Sequence, residues 1–239
     1  MSVFVMADLH LSTADASKSM EVFGSRWRDY HNKIKNNWNK LVSDEDTVVI
    51  PGDISWALSF QDALTDLKFL DSLSGRKIIM KGNHDFWWTS VTKMKNFFEA
   101  NEIKTIEILN NNALEVEKYI ITGSRGWFID PSSQTKSVNA DFDKVNNREV
   151  IRLKIGLDEA KKLQEASPEK EIVAFFHFPP VWSEFKNSKI IDMLDEYGVR
   201  RCYFGHIHGN YSVPSSFMTN DIEMRLISAD YLNFIPLFV

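Results

Sequence analysis

Seven residues with metal-binding side chains follow short apolar segments in five separate parts of the chain. They are Asp8, His10, Asp53, Asn83, His177, His206 and His208. Each apolar segment is typical of a buried strand, and ligands of α/β sheets bind in the crevice beyond the carboxyl ends of the strands. Five distant loops can therefore converge on one point, and the pattern predicts a metal centre there.

The spacing and the types of these residues indicate which metals the centre would bind. Asp8 and His10 are two positions apart, as are His206 and His208, so each pair would face one side of an extended segment. Imidazole mixed with carboxylate suits Mn, Fe, Zn or Co better than Ca, which prefers oxygen ligands alone. Seven ligands are more than one ion usually needs, so we expect two ions that share a carboxylate.

Each motif also has a structural alternative. Gly-Asp at position 53 is a common turn, and Asn83 and Asp85 could cap the helix that follows them. His177, which precedes Phe-Pro-Pro, could be a hydrogen-bonded core histidine, whereas Gly-His-x-His is the least common of the motifs. His31 lies outside the pattern, and we assign it a structural role. The combination of motifs favours chemistry over these separate alternatives.

The ordered set Asp-x-His, Gly-Asp, Gly-Asn-His-Asp, His and Gly-His-x-His resembles the calcineurin-like metallophosphoesterase superfamily, from Asp8 to His208. The resemblance implies an α/β (α+β) fold, a four-layer α/β/β/α sandwich of two mixed sheets flanked by helices. It implies a catalytic histidine at His84. It also implies two metal sites with Asp53 as the bridging ligand: Asp8, His10, Asp53 and His208 in one, and Asp53, Asn83, His177 and His206 in the other.

The chemistry expected of such a centre is hydrolysis of a phosphomonoester or phosphodiester. Two cations roughly 3.5–4 Å apart can acidify a shared water, and the resulting hydroxide would attack phosphorus without a nucleophilic serine or cysteine. His84 would protonate the leaving oxygen. Arg125 could bind phosphate through two hydrogen bonds, although a solvated surface arginine is the alternative, and Asn210 is a second candidate substrate contact.

The second motif argues against the serine/threonine protein phosphatases of the superfamily, and two other classes remain as alternatives. Those phosphatases extend it to Gly-Asp-x-x-Asp-Arg-Gly, whereas Trp56 and Ala57 replace the second Asp and the Arg here. A non-catalytic metal-binding interaction module is disfavoured because every ligand position is filled. A nuclease is disfavoured by a net charge of −5 and the absence of a Lys/Arg block.

The elements that must position these residues are predicted from apolar runs and helical periods. Strands at 3–7, 47–51 and 77–81 alternate with amphipathic helices at 26–43, 60–70 and 88–98, which favours a mostly parallel sheet. Further strands are predicted within 105–124 and at 171–176, 200–205 and 222–226, with helices at 148–166 and 188–197. We predict a long loop over 128–147 and a single domain over 1–239.

The overall composition indicates a soluble globular protein, and the resemblance implies a small phosphoester substrate. Hydrophobic residues make up 44% of the chain, and no stretch approaches the roughly 20 apolar residues of a membrane span. The N-terminal residues do not resemble a signal peptide, and the single Cys202 excludes an internal disulfide, so we expect a cytoplasmic protein. Four tryptophans near the motifs could stack on a nucleotide-like group, but core packing is the favoured alternative: Trp56, Trp87, Trp88 and Trp182.

Overall fold

The chain forms two compact units, each built around one large sheet. The computed structural model describes residues 1–128 and 136–239. The first unit comprises Met1–Ile108, His208–Tyr211 and Ile227–Val239. The second unit comprises Leu109–Ile207 and Ser212–Leu226.

The first unit contains a mixed five-stranded sheet in the order β13-β1-β2-β3-β4. Its strands are β1 Val3–Val5, β2 Thr47–Ile50, β3 Arg76–Ile79, β4 Ile106–Ile108 and β13 Leu237–Phe238. The strands β1 to β4 pair in parallel, and β13 pairs antiparallel with β1. Its helices are α1 Tyr30–Leu41, α2 Leu64–Asp71 and α3 Val91–Ala100, with 3-10 turns at Ala16–Lys18, Met20–Phe23 and Ser25–Trp27.

Apolar residues on both faces of β2 explain why it lies inside the sheet. All four of its residues are buried, as expected of a parallel strand covered on both sides. Helix α1 places Tyr30, Ile34 and Trp38 in the same core at a spacing of four residues. Leu41, the last residue of this helix, is 47% exposed, so the buried face ends one turn earlier.

The second unit contains a mixed six-stranded sheet in the order β11-β12-β10-β7-β6-β5. Its strands are β5 Leu114–Val116, β6 Tyr119–Ser124, β7 Glu171–Phe176, β10 Arg201–Phe204, β11 Ser216–Thr219 and β12 Ile222–Leu226. A hairpin joins β8 Val181–Trp182 to β9 Phe185–Lys186, and the helices are α4 Lys136–Ala166 and α5 Ser188–Glu196. Helix α4 packs against β6 and β7. Among the helices described in the two units, none is both long and apolar enough to span a bilayer.

The predicted fold class, with two mixed sheets flanked by helices, is confirmed. The predicted loop over 128–147 is wrong from residue 136 onward, where α4 has already begun, and residues 129–135 lie outside the described residues. The buried face of this helix carries polar residues, so the spacing of its apolar residues did not indicate where the helix begins. Asn146 accepts a hydrogen bond of 2.6 Å from Asn187, and the buried Glu149 pairs with Arg152 at 2.6 Å.

Candidate metal centre

Three neighbouring strands of the first unit deliver predicted site residues to the same edge of the sheet. Asp8 and His10 follow β1, Asp53 follows β2, and Asn83 and His84 follow β3. Because β1, β2 and β3 pair in parallel, their carboxyl ends lie together. The fold thus gathers residues from three separate motifs.

Asp8, His10 and His208 form a compact group of candidate ligands. Each offers one ligand atom, and these atoms lie within 4.8 Å of one another. Nε2 of His10 is 3.1 Å from Nε2 of His208 and 3.6 Å from Oδ2 of Asp53. Two imidazole nitrogens facing each other beside buried carboxylates form the mixed donor set that divalent transition metals prefer. The residues present therefore fit a metal ion.

The backbone at this group departs from our expectation of extended segments. The φ angle is 59° at Asp8, 45° at His10 and 52° at Asp53, all in the left-handed region. That region is uncommon for residues other than glycine and costs of order 1–3 kcal/mol where sterically strained. His206 also has a positive φ of 72°. The i, i+2 argument for Asp8-His10 and His206-His208 was therefore wrong, because the backbone of these segments is not extended.

The carboxylate of Asp85 joins the loop that follows β2 to the loop that follows β3. The side chain is fully buried and accepts four hydrogen bonds from backbone N–H groups and one from an indole N–H. The donors are Gly82 at 2.8 Å, Asp53 and Ile54 at 2.9 Å, Ser55 at 3.2 Å and Nε1 of Trp87 at 3.0 Å. Burial and the charge of Asp53 raise the pKa of Asp85, and the N–H donors oppose that shift. These contacts give Asp85 a structural role, but it does not cap α3, whose N-cap is Ser90.

Gly82 is required by the position of Asp53. A Cβ atom at residue 82 would lie 2.0 Å from Oδ1 and 2.2 Å from the backbone nitrogen of Asp53. The backbone N–H of His84 donates to the same Oδ1 at 2.8 Å. Burial raises the pKa of Asp53, while this N–H and the neighbouring histidines lower it. The close approach fixes one carboxylate oxygen of Asp53 and leaves Oδ2 facing His10.

His84, the predicted catalytic histidine, lies beside the candidate ligands. Its ring centroid is 5.5 Å from that of His10 and 4.2 Å from that of Trp56. Burial lowers the pKa of His84, against the opposing charge of Asp53. Within the described parts of the chain, its buried Nδ1 has no hydrogen-bond partner. Trp56 thus packs against the imidazole at the position where protein phosphatases have a carboxylate.

Asp230 is a functional candidate that the sequence analysis missed. Its carboxylate accepts a hydrogen bond of 2.8 Å from Nδ1 of His208. Burial lowers the pKa of His208, but the hydrogen bond and charge of Asp230, with Asp8 and Asp53, outweigh it and raise the pKa overall. Burial raises the pKa of Asp230, and the contact with His208 reverses that shift. The sequence around position 230 contains no second ligand-type residue, so no motif signalled it.

The second unit brings its two predicted ligands together in a similar way. His177 follows β7 and His206 follows β10, and these strands are parallel neighbours. The ring centroids are 5.2 Å apart in an edge-to-face arrangement. Phe178 packs against both rings, at 5.0 Å from His177 and 4.5 Å from His206. The second unit therefore presents two imidazoles at one edge of its sheet.

The two candidate substrate contacts differ in their surroundings. Arg125 follows β6, is 19% exposed in its side chain and lies 3.9 Å from Oε1 of Glu149. Its guanidinium is 5.2 Å from the ring centroid of Trp127 and 5.9 Å from that of Phe178. The alternative of a solvated surface arginine is therefore wrong. Asn210 is exposed.

Most of the tryptophans near the motifs belong to the core, as the favoured alternative predicted. Trp87 is 2% exposed, and Trp88 packs against the core of the first unit. Trp182 lies 6.1 Å from the ring of Phe204. Trp56 differs, because it also stacks on His10 at 4.9 Å.

His31 has the structural role that we assigned to it. Its Nε2 accepts a hydrogen bond of 3.3 Å from the backbone N–H of Ser12, just beyond His10. Its ring also packs on Tyr30 with a centroid separation of 3.9 Å. His31 therefore stabilises the loop that carries two candidate ligands.

Comparison with known proteins gives a consistent result. The profile of the family described as calcineurin-like phosphoesterase matches residues 1–210. An uncharacterized protein of Methanocaldococcus jannaschii is 26% identical over 158 residues, which cover 62% of this chain and 85% of that protein. Two solved structures are similar over nearly the whole chain, and at their low identities they show the fold alone.

The first of these structures is the phosphopantetheinyl hydrolase PptH of Mycobacterium tuberculosis. It has a TM-score of 0.55 at 14% identity, with 100% of this chain and 95% of that chain covered. The second is a protein of unknown function, AQ665, from Aquifex aeolicus. It has a TM-score of 0.51 at 16% identity, with 99% of this chain and 95% of that chain covered.

Proposed function

Because the chain belongs to the calcineurin-like phosphoesterase family, we propose that it hydrolyses a small phosphoester with two metal ions that share Asp53. The family match and the grouped histidine and aspartate ligands support a metal-dependent phosphoesterase. The observation that carries the proposal is the group of Asp8, His10 and His208, whose ligand atoms lie within 4.8 Å of one another. In this proposal both units serve one catalytic domain over 1–239.

The proposed ligand sets divide the seven predicted residues around Asp53. The first ion would be held by Asp8, His10, Asp53 and His208. The second ion would be held by Asp53, Asn83, His177 and His206. The 3.6 Å contact between Asp53 and His10 supports the first set, and the 5.2 Å approach of His177 and His206 supports their pairing in the second. Nitrogen and oxygen donors favour Mn, Fe, Zn or Co.

Such ions supply acidified water and neutralise charge on the phosphoryl group when they are bound. The residues of the chain supply position and proton transfer. Asp85 keeps the loops at Asp53 and Gly82 in register, and His84 is placed beside His10 to donate a proton to the leaving oxygen. Trp56 packs on both imidazoles and excludes water from one side of them.

Arg125 is the proposed contact for a phosphate oxygen. Its guanidinium contacts Glu149 and the rings of Trp127 and Phe178, and Phe178 in turn packs against the two histidines of the second unit. Asn210, two residues beyond His208, is the second proposed contact. We propose a small phosphoester, monoester or diester, as the substrate and the cytoplasm as the site of action, which the single cysteine supports.

The test combines metal analysis with hydrolysis of two simple substrates. Purified protein should contain about two transition metal ions per chain and hydrolyse p-nitrophenyl phosphate or its bis-ester, and a chelator should abolish this activity. The variant His84→Asn should keep its metal and lose about 10²–10⁴-fold in kcat. His31→Asn is the control for loss of a histidine outside the proposed ligand sets; because His31 bonds to the loop beyond His10, we expect a small loss of kcat that is far below that of His84→Asn.

Two outcomes would contradict the proposal. Full metal content without hydrolysis of either ester would favour a non-catalytic interaction module. Preference for DNA with a steep loss of binding at increasing salt would favour a nuclease.

A further inference from the structure

A buried carboxylate near the C-terminal end of the chain contacts one of the proposed metal ligands. We infer that Asp230 is a positioning residue that fixes the tautomer and the ring orientation of His208 for metal binding. The inference rests on the proposed function, because it treats His208 as a ligand. Asp230 lies beyond residues 1–210, to which the family profile is matched.

The two carboxylate oxygens of Asp230 accept hydrogen bonds from different groups. Oδ1 accepts the hydrogen bond of 2.8 Å from Nδ1 of His208. Oδ2 accepts from the backbone N–H of Gly209 at 3.0 Å and from the hydroxyl of Tyr211 at 3.1 Å. The carboxylate is fully buried, so water does not compete for these positions. Oδ2 therefore anchors the carboxylate, and Oδ1 is directed at the imidazole.

The contact determines which nitrogen of His208 can bind a metal. When Nδ1 carries the proton that is donated to Asp230, the lone pair of the neutral imidazole resides on Nε2. Nε2 is the nitrogen that faces His10, at 3.1 Å from its Nε2. A carboxylate on the outer nitrogen fixes a metal-binding imidazole and increases its basicity. Asp230 thus directs the free lone pair of His208 toward the other ligands.

The backbone around Asp230 is fixed by contacts that do not involve His208. Nε of Arg26 donates to the carbonyl oxygen of Asp230 at 2.8 Å, and its guanidinium lies 4.4 Å from the ring centroid of Tyr211. The backbone N–H of Ala229 donates to the carbonyl of Ala7 at 2.9 Å, directly before Asp8. The segment with the positioning residue is therefore bonded to the loop with the first two ligands.

The test measures metal binding rather than turnover. We would compare Asp230→Ala, Asp230→Asn and Tyr211→Phe with wild type, using Co²⁺ as the probe, chelator competition for affinity and the visible absorption of bound cobalt for geometry. Asp230→Ala should weaken one of the two ions about 10–100-fold and change the spectrum of that ion. Asp230→Asn should restore only part of the affinity, because its amide oxygen can still accept the imidazole proton but its amide nitrogen cannot accept from the N–H of Gly209.

Asp46→Ala is the matched control for loss of a buried, hydrogen-bonded aspartate. Asp46 is 8% exposed and accepts hydrogen bonds from the backbone of Ser2 at 2.6 Å and of Ser43 at 2.9 Å, away from the proposed ligands. Where it is folded, this variant should keep wild-type cobalt affinity even if its free energy of unfolding is lower. Tyr211→Phe should weaken the same ion as Asp230→Ala by only a few-fold, since it removes one contact to Oδ2.

Unchanged affinity and spectrum in both Asp230 variants would overturn the inference, and Asp230 would then be a structural residue only. The proposed function is tested separately from this inference. A protein that loses cobalt affinity on substitution of Asp230 but hydrolyses no phosphoester would support the positioning role and contradict the phosphoesterase.

Discussion

The two pairs of histidines are held by different kinds of contact. In the first unit His208 is bonded to the buried Asp230, and the loops that carry Asp53 and Gly82 are bonded to the buried Asp85. In the second unit His177 and His206 pack against the ring of Phe178, at 5.0 and 4.5 Å. Buried carboxylates and the ring of Trp56 thus hold the first region, whereas the ring of Phe178 packs against both histidines of the second.

The two kinds of contact differ in the substitutions that they tolerate. A hydrogen bond to a buried carboxylate fixes both the direction of a ring and its proton, but the carboxylate must be fully satisfied because burying its charge is costly. Aromatic packing fixes position with less control of direction, and it tolerates changes that conserve volume. We therefore expect the first unit to be the more sensitive to single polar substitutions.

Among the substitutions that test this difference, removal of the Asp85 carboxylate should lower the free energy of unfolding most. Asp85→Ala leaves five N–H donors without their acceptor, and we expect the free energy of unfolding to fall by about 3–5 kcal/mol. Urea unfolding in the presence of a chelator measures this change. A loss below about 1 kcal/mol would mean that the carboxylate does not hold these loops.

The alkaline stability of the first unit should depend on Tyr30. Its buried hydroxyl donates to the backbone carbonyl of His10 at 2.7 Å, and burial raises its pKa from 10.0 to about 12. The folded protein thus keeps a proton that the unfolded chain releases, so the contribution is complete below pH 10 and is lost toward pH 12. The loss should reach up to ~2.7 kcal/mol.

The variant Tyr30→Phe isolates this titration. The difference in unfolding free energy between wild type and variant should shrink as the pH rises from 10 to 12, because the other titrating groups are common to both proteins. A constant difference across that range would contradict the prediction.

Substitution of the aromatic contact in the second unit should have a moderate effect. Phe178→Leu conserves most of the buried volume, so we expect a loss of about 1–1.5 kcal/mol in unfolding free energy and a small change in metal affinity. Parallel urea unfolding and chelator titrations with Asp85→Ala provide the comparison. An equal or larger loss in Phe178→Leu would reverse our ranking of the two regions.

The smallest effect should come from a polar contact at the opposite strand ends of the second sheet. Arg201 begins β10 and bonds to Glu171, the first residue of β7, at 2.7 and 2.5 Å. Both side chains are partly exposed, so Arg201→Met should cost at most about 1 kcal/mol and leave metal binding unchanged. A loss of bound metal would show that the two ends of this sheet are coupled.

The sequence predicted those features that are encoded over a few neighbouring residues. Strand β7 has the predicted bounds, and α5 ends one residue before its predicted end, because apolar runs and periods are local signals. The order of the motifs likewise placed the candidate ligands at strand ends. The start of α4 and the role of Asp230 were missed, since the partners of Asn146 and Asp230 lie 41 and 22 residues away.

The left-handed turns at Asp8, His10 and Asp53 could not be predicted for a related reason. Asp and His adopt a positive φ more often than most residues but much less readily than glycine, and local spacing indicated extended backbone. The conformation is held by bonds between loops, such as the one from the backbone N–H of Asp8 to the carbonyl of Gly52 at 3.0 Å. Such bonds exist only after the strands have paired.

The division of the chain has a consequence for biosynthesis. The first unit includes Ile227–Val239, whereas the second is contained within residues 109–226. On a translating ribosome, the second unit can therefore be complete while the first still lacks β13 and Asp230. A nascent chain released before residue 230 would carry every proposed ligand and still lack the carboxylate that orients one of them.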